Sequence, residues 1–204
     1  MMKRIALLFS AGFFLASAPG CGDVGDGHGH NHEHEVFTTV TLTFTPATGD
    51  PIVATWKDPE NDGSPVIDPI NLVNGETYEV AVTFFNELEL PVEEVTPEIR
   101  DEDDEHQVFF FGTVVSGPSS DAADAPLEQA YDDADDNGFP IGLANTFSAV
   151  AVGSGTMTVV LRHMPTVNGE TVKTAALADD VKSGGVTTLP GATDITVDFD
   201  VTVE

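Results

Sequence analysis

Residues 194–203 read DITVDFDVTV, with apolar and polar side chains in strict alternation. A β-strand points successive side chains to opposite faces, so this stretch predicts a strand with one buried and one solvated face. The same alternation recurs in four further stretches, at residues 39–45, 52–56, 78–84 and 157–161. The pattern therefore predicts a protein built mainly from half-buried strands.

The segments between these stretches complete the fold prediction. Residues 107–115 and 146–152 are more uniformly apolar, which is typical of strands that are covered on both faces. We predict short helices near residues 91–105 and 118–131, and turns at the Asn-Gly, Gly-Gly and Pro-Gly pairs. Together the segments favour an all-β fold. We expect an antiparallel β-sandwich of immunoglobulin-like build, with about eight strands and one or two short helices.

The first twenty residues have the pattern of a bacterial signal peptide. Lys3 and Arg4 form the basic start, an apolar run occupies residues 5–16, and small residues precede Cys21. This placement predicts lipid attachment at Cys21, and cleavage after Ala18 to leave a secreted thiol is the alternative. We therefore divide the chain into a lipoprotein signal peptide (1–20), a flexible His-rich tether (21–35) and a β-sandwich domain (36–204).

The charge of the chain excludes one class of partner. The 35 acidic and 7 basic residues give a formal net charge of -28. Residues 1–20 hold two of the basic residues and no acidic ones, so the mature chain has a net charge of 5 minus 35, or -30. Nucleic acids are bound by clustered basic side chains, so we predict no nucleic acid partner. Repulsion among so many carboxylates favours the binding of cations.

Four of the six histidines lie in the tether, at His28, His30, His32 and His34. Side chains two residues apart face the same way in an extended chain, so these imidazoles can close on one divalent transition-metal ion such as zinc, copper or nickel. Glu33 and Glu35 can add oxygen ligands. A flexible segment loses entropy on binding, which favours capture and handover of the metal over tight storage. The alternative is a solvated spacer.

Two loops have alternating oxygen ligands followed by glycine, a pattern that can direct several hard oxygens at one calcium ion. The predicted calcium ligands are Asp133, Asp135 and Asn137 in one loop, and Asp58, Glu60 and Asp62 in the other. Neither loop has the glutamate that closes an EF-hand at the twelfth position, where Ala144 and Pro69 stand. We therefore expect weak calcium binding, and polar hairpin loops without calcium are the alternative.

The predicted domain contains two further histidines, His106 and His163, each at one end of a predicted strand. Loops at strand ends build sites on sandwich folds, so these two histidines together with Glu105 are candidates for a second, weaker transition-metal site. His163 also continues the apolar face of residues 157–161, so a buried structural histidine is the alternative.

Catalysis has little support in the sequence. It contains no serine in a nucleophile elbow, no His-Glu-x-x-His motif and no glycine-rich phosphate loop, and its one thiol is the predicted lipid anchor. We therefore predict a binding protein rather than an enzyme. Three functions remain open: a membrane-anchored lipoprotein that handles transition metals, a calcium-stabilised β-sandwich adhesion or assembly module, and a structural envelope lipoprotein that binds no metal.

Several motifs taken together resemble a known group of proteins. They are the lipoprotein-like start, the His-Glu tether, and the sequences DEHQVFF at 104–110, DNGFPIGL at 136–143 and LRHMP at 161–165. The chain resembles small acidic bacterial lipoproteins of uncharacterised function, some of which carry a type 1 periplasmic-binding-fold label. That label implies two α/β lobes, whereas the alternating strands favour a sandwich.

The resemblance implies a location in the bacterial cell envelope and a lipid anchor in the membrane. An outer-membrane receptor or another envelope protein is the expected partner. Gly22 follows the cysteine where an aspartate favours retention in the inner membrane, so we expect the outer membrane.

Overall fold

The alternating stretches form strands, and the strands pair into two sheets. The computed structural model describes residues 35–204. The predicted lipid attachment at Cys21 and the predicted metal ligands His28, His30, His32 and His34 lie outside these residues. In the described part of the chain, no helix is both long and apolar enough to cross a membrane.

Thirteen strands are present between residues 35 and 204. In chain order they are β1 (Thr39–Pro46), β2 (Ile52–Lys57), β3 (Val66–Ile67), β4 (Ile70–Leu72), β5 (Thr77–Asn86), β6 (Glu93–Glu94), β7 (His106–Gly112), β8 (Val115–Gly117), β9 (Ser120–Asp121), β10 (Leu127–Tyr131), β11 (Ala144–Ala149), β12 (Gly153–His163) and β13 (Ala192–Val203). The helices are α1 (Thr96–Asp101) and α2 (Leu177–Gly184), and a 3-10 turn follows at Val186–Thr188.

The larger sheet has the strand order β3-β2-β1-β5-β11-β10-β8-β9, with β6 also paired to β5. The smaller sheet has the order β4-β13-β12-β7. Neighbouring strands are antiparallel, except that β8 runs parallel to β10 and β4 runs parallel to β13. The predicted all-β sandwich is therefore confirmed. The strand count exceeds the predicted eight because strands of two or three residues are too short to show a period.

The two sheets share one core. Phe110 of β7, in the smaller sheet, packs edge-to-face on Phe147 of β11, in the larger sheet, with ring centroids 5.3 Å apart. Phe147 also packs on Phe44 of β1 at 5.9 Å. The alternating residues of β13 behave as its sequence predicts, because Val197 and Phe199 are both almost fully buried. Aromatic contacts of this kind add stability beyond the area that they bury.

A second, smaller core lies on the outer face of β7. Phe109 of β7 packs there with Leu177 and Val181 of α2 and with Met164. β7 is therefore covered on both faces, as predicted for residues 107–115, although the strand ends at Gly112. The same prediction was wrong for residues 146–152, because β11 alternates between buried and half-buried positions and Val152 beyond it is 70% exposed.

One of the two predicted helices is also corrected. A helix does form within residues 91–105, as α1, but the expected helix at 118–131 is wrong because this segment contains β9 and β10. β10 fits between β8 and β11, and the buried amide of Gln129 donates a hydrogen bond to Asn145 of β11 at 2.9 Å. Pairing with two neighbours thus overrides the local preference of the chain.

Candidate metal centre

His106 and His163 form a cross-strand pair. His106 is the first residue of β7 and His163 the last of β12, and the antiparallel register places them directly opposite each other. Opposed residues of such a pair project from the same face with Cβ atoms about 4.5–5.5 Å apart. The two rings accordingly stack, with centroids 4.4 Å apart and an angle of 12° between their planes. They share the face of Val108 and Phe110, so the pair lies at one end of the sandwich core.

The hydrogen bond of His106 defines which of its nitrogens can act as a ligand. Its Nδ1 lies 3.2 Å from the main-chain oxygen of Glu102. A carbonyl oxygen only accepts, so Nδ1 carries the hydrogen and Nε2 keeps its lone pair. Burial, and then the neighbouring His163, lower the pKa of His106 to about 4. The ring is therefore neutral at pH 7, which is the form that binds metals.

A carboxylate directly after α1 lies beside the two histidines, with Oε2 of Glu102 3.9 Å from Nδ1 of His106. α1 is anchored by Ile99, which is fully buried in the core, and Glu102 follows directly at the end of the helix. Glu102, His106 and His163 each offer a ligand atom, and these atoms lie within 4.8 Å of one another. The carboxylate predicted from the sequence to lie at this site was that of Glu105, not that of Glu102. The spacing of four residues between Glu102 and His106 was the signal that was available.

Glu105 supports His163 from the side. Its Oε2 lies 3.4 Å from Nε2 of His163, and its Oε1 accepts the main-chain N–H of Thr166 at 3.2 Å. Burial alone would raise the pKa of Glu105, but these two hydrogen bonds outweigh it and the pKa is lowered. The carboxylate is thus charged at neutral pH and can fix the orientation of the His163 ring, as carboxylates beside metal-binding histidines do.

Glu35 reaches the same site from the start of the domain. Its Oε2 lies 3.8 Å from Nε2 of His106. Burial first, and then the negative charges of Asp194, Glu102, Glu98 and Glu93, raise the pKa of Glu35 to about 7. The sequence analysis placed Glu35 in the tether, whereas its carboxylate lies against the domain.

The stacked rings restrict how the two histidines can bind one ion. A ring nitrogen binds a metal in the plane of its ring, and two stacked rings do not direct their lone pairs at one point. A shared ion therefore requires one ring to turn out of the stack. His163 is the ring better placed to turn, since its side chain is 21% exposed while that of His106 is fully buried, but turning it breaks the contact of its Nε2 with Glu105. This partial exposure also gives an ion a route from solvent.

The predicted calcium loop at residues 133–138 is held closed by the protein itself. Both carboxylate oxygens of Asp133 accept main-chain N–H groups, from Gly142 at 2.6 Å and from Leu143 at 2.8 Å. Asp135 accepts the main-chain N–H of Asn137, and its other oxygen lies 3.0 Å from the ammonium group of Lys173. A calcium ion in this loop would have to displace these donors.

The predicted calcium loop at residues 58–63 is closed in a similar way. One oxygen of Asp58 accepts the N–H of Asp62 and the other accepts that of Gly63, while Asp62 accepts the N–H of Ser64. Glu60 is exposed to solvent. These are the local contacts that aspartates make in turns without a metal. Calcium binding at either loop stays a prediction, and the contacts do not favour it.

Comparison with known proteins gave no match to any protein-family model, curated protein or solved structure.

Proposed function

We propose that the protein is a lipid-anchored envelope protein whose folded domain binds one divalent transition-metal ion. The observation that carries this proposal is the closeness of one potential ligand atom each from Glu102, His106 and His163, all within 4.8 Å of one another at one end of the sandwich. His106 and His163 are 57 residues apart in sequence, and strand pairing alone brings them into contact. The proposal covers binding and not catalysis.

The chemistry of the ligands supports zinc, copper or nickel over calcium. Neutral imidazole nitrogen suits these metals, whereas calcium takes six to eight oxygen ligands. The ring of His106 is neutral at pH 7, so a metal does not have to displace a proton from it. In this proposal, the tether histidines His28, His30, His32 and His34 capture the ion and the domain site receives it.

The cellular context remains a proposal that rests on the sequence. Lipid attachment at Cys21 would hold the protein at the membrane, and an outer-membrane receptor or another envelope protein would be its partner. Cys21→Ala should prevent incorporation of labelled palmitate into the protein in bacterial cells and should move the protein from the membrane to the soluble fraction. Unchanged labelling of the Cys21→Ala variant would overturn the lipid-anchor proposal.

Zinc titration of the mature chain tests the metal-binding proposal. A variant with all four tether histidines replaced by alanine should still bind zinc by calorimetry, at a stoichiometry of about one site, because the domain ligands are intact. Adding His106→Gln and His163→Gln to this variant should abolish that binding. Circular dichroism of each metal-free variant shows whether it is folded.

The control for this test is a substitution elsewhere in the domain that does not alter a histidine. Asp58→Asn in the same background alters a predicted calcium ligand and should leave zinc affinity unchanged. If the variant without tether histidines binds no zinc, the domain site is wrong. If the mature chain with all of its histidines binds none either, the transition-metal function is wrong as a whole.

A further inference from the structure

Two buried atoms at the candidate metal centre lie close to each other. Nε2 of His106 and Oε2 of Glu35 are 3.8 Å apart, both are buried, and neither has a hydrogen-bond partner. Buried polar atoms are nearly always paired, so an orphaned pair needs an explanation. Here the two orphaned atoms lie within reach of one ion.

The hydrogen bond on the other side of the His106 ring determines which ring nitrogen has a free lone pair. Because Nδ1 donates to the main-chain oxygen of Glu102, Nε2 presents a lone pair toward Glu35. When the carboxyl group of Glu35 is ionised, its oxygen also presents only lone pairs, so two acceptors meet without a donor. Such a contact is unfavourable in a buried setting unless a proton or a metal cation lies between the two atoms.

The separation suits a transition-metal ion. With metal–ligand bonds of about 2.0–2.1 Å and tetrahedral angles, two ligand atoms of zinc lie about 3.3 Å apart. The observed 3.8 Å therefore has to shorten by only a few tenths of an ångström. The side chain of Glu35 is 19% exposed, so it has the freedom to make this adjustment.

The backbone that follows Glu35 is held firmly. Phe37 packs edge-to-face on Phe84 of β5, with centroids 5.5 Å apart. The main-chain N–H of Thr38 donates to the oxygen of Phe85 at 2.9 Å, and β1 begins at the next residue. The chain two residues after Glu35 is thus held by the larger sheet, whereas His106 belongs to the smaller one. An ion between them would link the two sheets at this end of the core.

We propose that Glu35 is a ligand of the domain metal ion, opposite Nε2 of His106, so that metal binding ties the end of the tether to the sandwich. This inference rests on the proposed function, since it adds a ligand to the same site. A metal ion passed from the tether histidines to the domain site would then have a short distance to travel along the chain. His34 precedes Glu35 directly in the chain, so the last tether histidine is one residue from a domain ligand.

The test compares Glu35→Gln with Glu33→Gln in the mature chain whose four tether histidines are alanine. Both variants remove one negative charge from the same segment of the sequence, and Glu35 is the one that the structure places beside His106. We expect Glu35→Gln to weaken zinc binding by at least roughly 10-fold. Loss of a group that only orients a metal ligand already weakens metal binding by about 10- to 100-fold. Glu33→Gln should change the affinity by less than about twofold. Competition with a chromophoric chelator measures both.

Cobalt provides a readout of the ligand set itself. The visible absorption of Co²⁺ bound to the domain site depends on the number and type of its ligands. It should therefore change in Glu35→Gln and remain unchanged in Glu33→Gln. If Glu35→Gln unfolds without metal, Glu35→Asp retains the carboxylate on a shorter side chain, and it should bind zinc more weakly than the parent with an altered cobalt spectrum.

The outcomes separate this inference from the proposed function. If Glu35→Gln binds zinc as tightly as Glu33→Gln with the same cobalt spectrum, while His106→Gln loses binding, Glu35 is not a ligand and the domain site stands. Parent-like zinc affinity and cobalt spectrum in Glu35→Asp would likewise count against Glu35 as a ligand. If His106→Gln retains full affinity, the domain site itself is wrong, and the inference falls with it.

Discussion

Among residues 35–204, two clusters bring a carboxylate against a buried basic side chain, and they differ in whether that side chain is charged. At the hairpin of residues 133–138, the carboxylate of Asp135 meets the ammonium group of Lys173 at 3.0 Å, and both side chains are fully buried. At the metal centre, the carboxylate of Glu35 meets the neutral ring of His106 at 3.8 Å. The hairpin cluster contains its own cation, whereas the contact between Glu35 and His106 contains none.

This difference separates a structural cluster from a candidate binding site in a chain with many carboxylates. Lys173 also donates to the main-chain oxygen of Asp103 at 2.6 Å, so it joins the hairpin to the segment that leads into β7. Both side chains of the contact between Asp135 and Lys173 therefore stabilise the fold. Oδ2 of Asp135, Oε2 of Glu35 and Nε2 of His106 are all buried atoms without a hydrogen-bond partner, but Oδ2 of Asp135 lies 3.0 Å from an ammonium group, whereas Oε2 of Glu35 lies 3.8 Å from the ring of His106.

Removing the internal cation should have the largest effect on stability. Lys173→Met leaves the charge of Asp135 buried without a partner, and breaking a buried pair in this way costs about 3–5 kcal/mol of unfolding free energy. Urea denaturation of the metal-free protein measures the loss. Lys182→Met is the matched control, because this exposed lysine of α2 should change stability by no more than about 0.5 kcal/mol.

A double variant shows whether the cost comes from the uncompensated charge. Asp135→Asn removes that charge but retains an oxygen that can accept the N–H groups of Asn137 and Phe139. The combination of Asp135→Asn and Lys173→Met should therefore be less destabilised than Lys173→Met alone. Equal losses would mean that Lys173 stabilises the fold by packing and not by charge.

The sequence predicted the sandwich because long strands show their period directly. The alternation in residues 194–203 and 157–161 identified β13 and β12 and the faces that they bury. It also placed His163 on the face of Leu161, where the structure has it. Short strands such as β3 and β9 have too few residues to show a period, and α2 was not predicted either, although it is longer than α1.

The partners of the histidines were harder to predict than the histidines themselves. The contact of His106 with His163 depends on the register between β7 and β12, which no local pattern fixes. Glu35 lies 71 residues before His106, and the two meet only because the two sheets pack on each other. The calcium prediction had the opposite weakness. The spacing of Asp133 and Asp135 correctly predicted a turn, but it could not predict that the ammonium group of Lys173 would lie against Asp135.

Zinc and calcium should act differently on the two clusters. In the variant without tether histidines, free zinc at 100 times its dissociation constant should raise the free energy of unfolding by about 2.7 kcal/mol. Calcium at roughly 1 mM, the weak end of the range for extracellular modules, should leave it unchanged because the loop carboxylates already accept hydrogen bonds. Thermal denaturation checks both. A calcium effect as large as that of zinc would favour the alternative, calcium-stabilised module.

The smallest effect that we expect is a pair of opposite pH slopes in the metal-free protein. The pKa of His106 is lowered from 6.5 to about 4, so between these values the unfolded state binds a proton that the folded state does not, and stability falls as the pH falls. The pKa of Glu35 is raised from 4.5 to about 7, so between these values the folded state binds the extra proton, and stability falls as the pH rises.

In the parent protein these two contributions nearly cancel between pH 4.5 and 6.5, and each variant uncovers one of them. Relative to the parent, Glu35→Gln should lose stability as the pH falls through this window, by about 1.4 kcal/mol per pH unit for one proton. His106→Gln should lose stability as the pH rises through the same window. Urea denaturation with a chelator present, at half-unit pH intervals, measures both slopes. Equal slopes of stability against pH in the two variants would show that other groups bind these protons. The contact of Glu35 with a neutral His106, and with it the contrast to the contact of Asp135 with Lys173, would then be wrong.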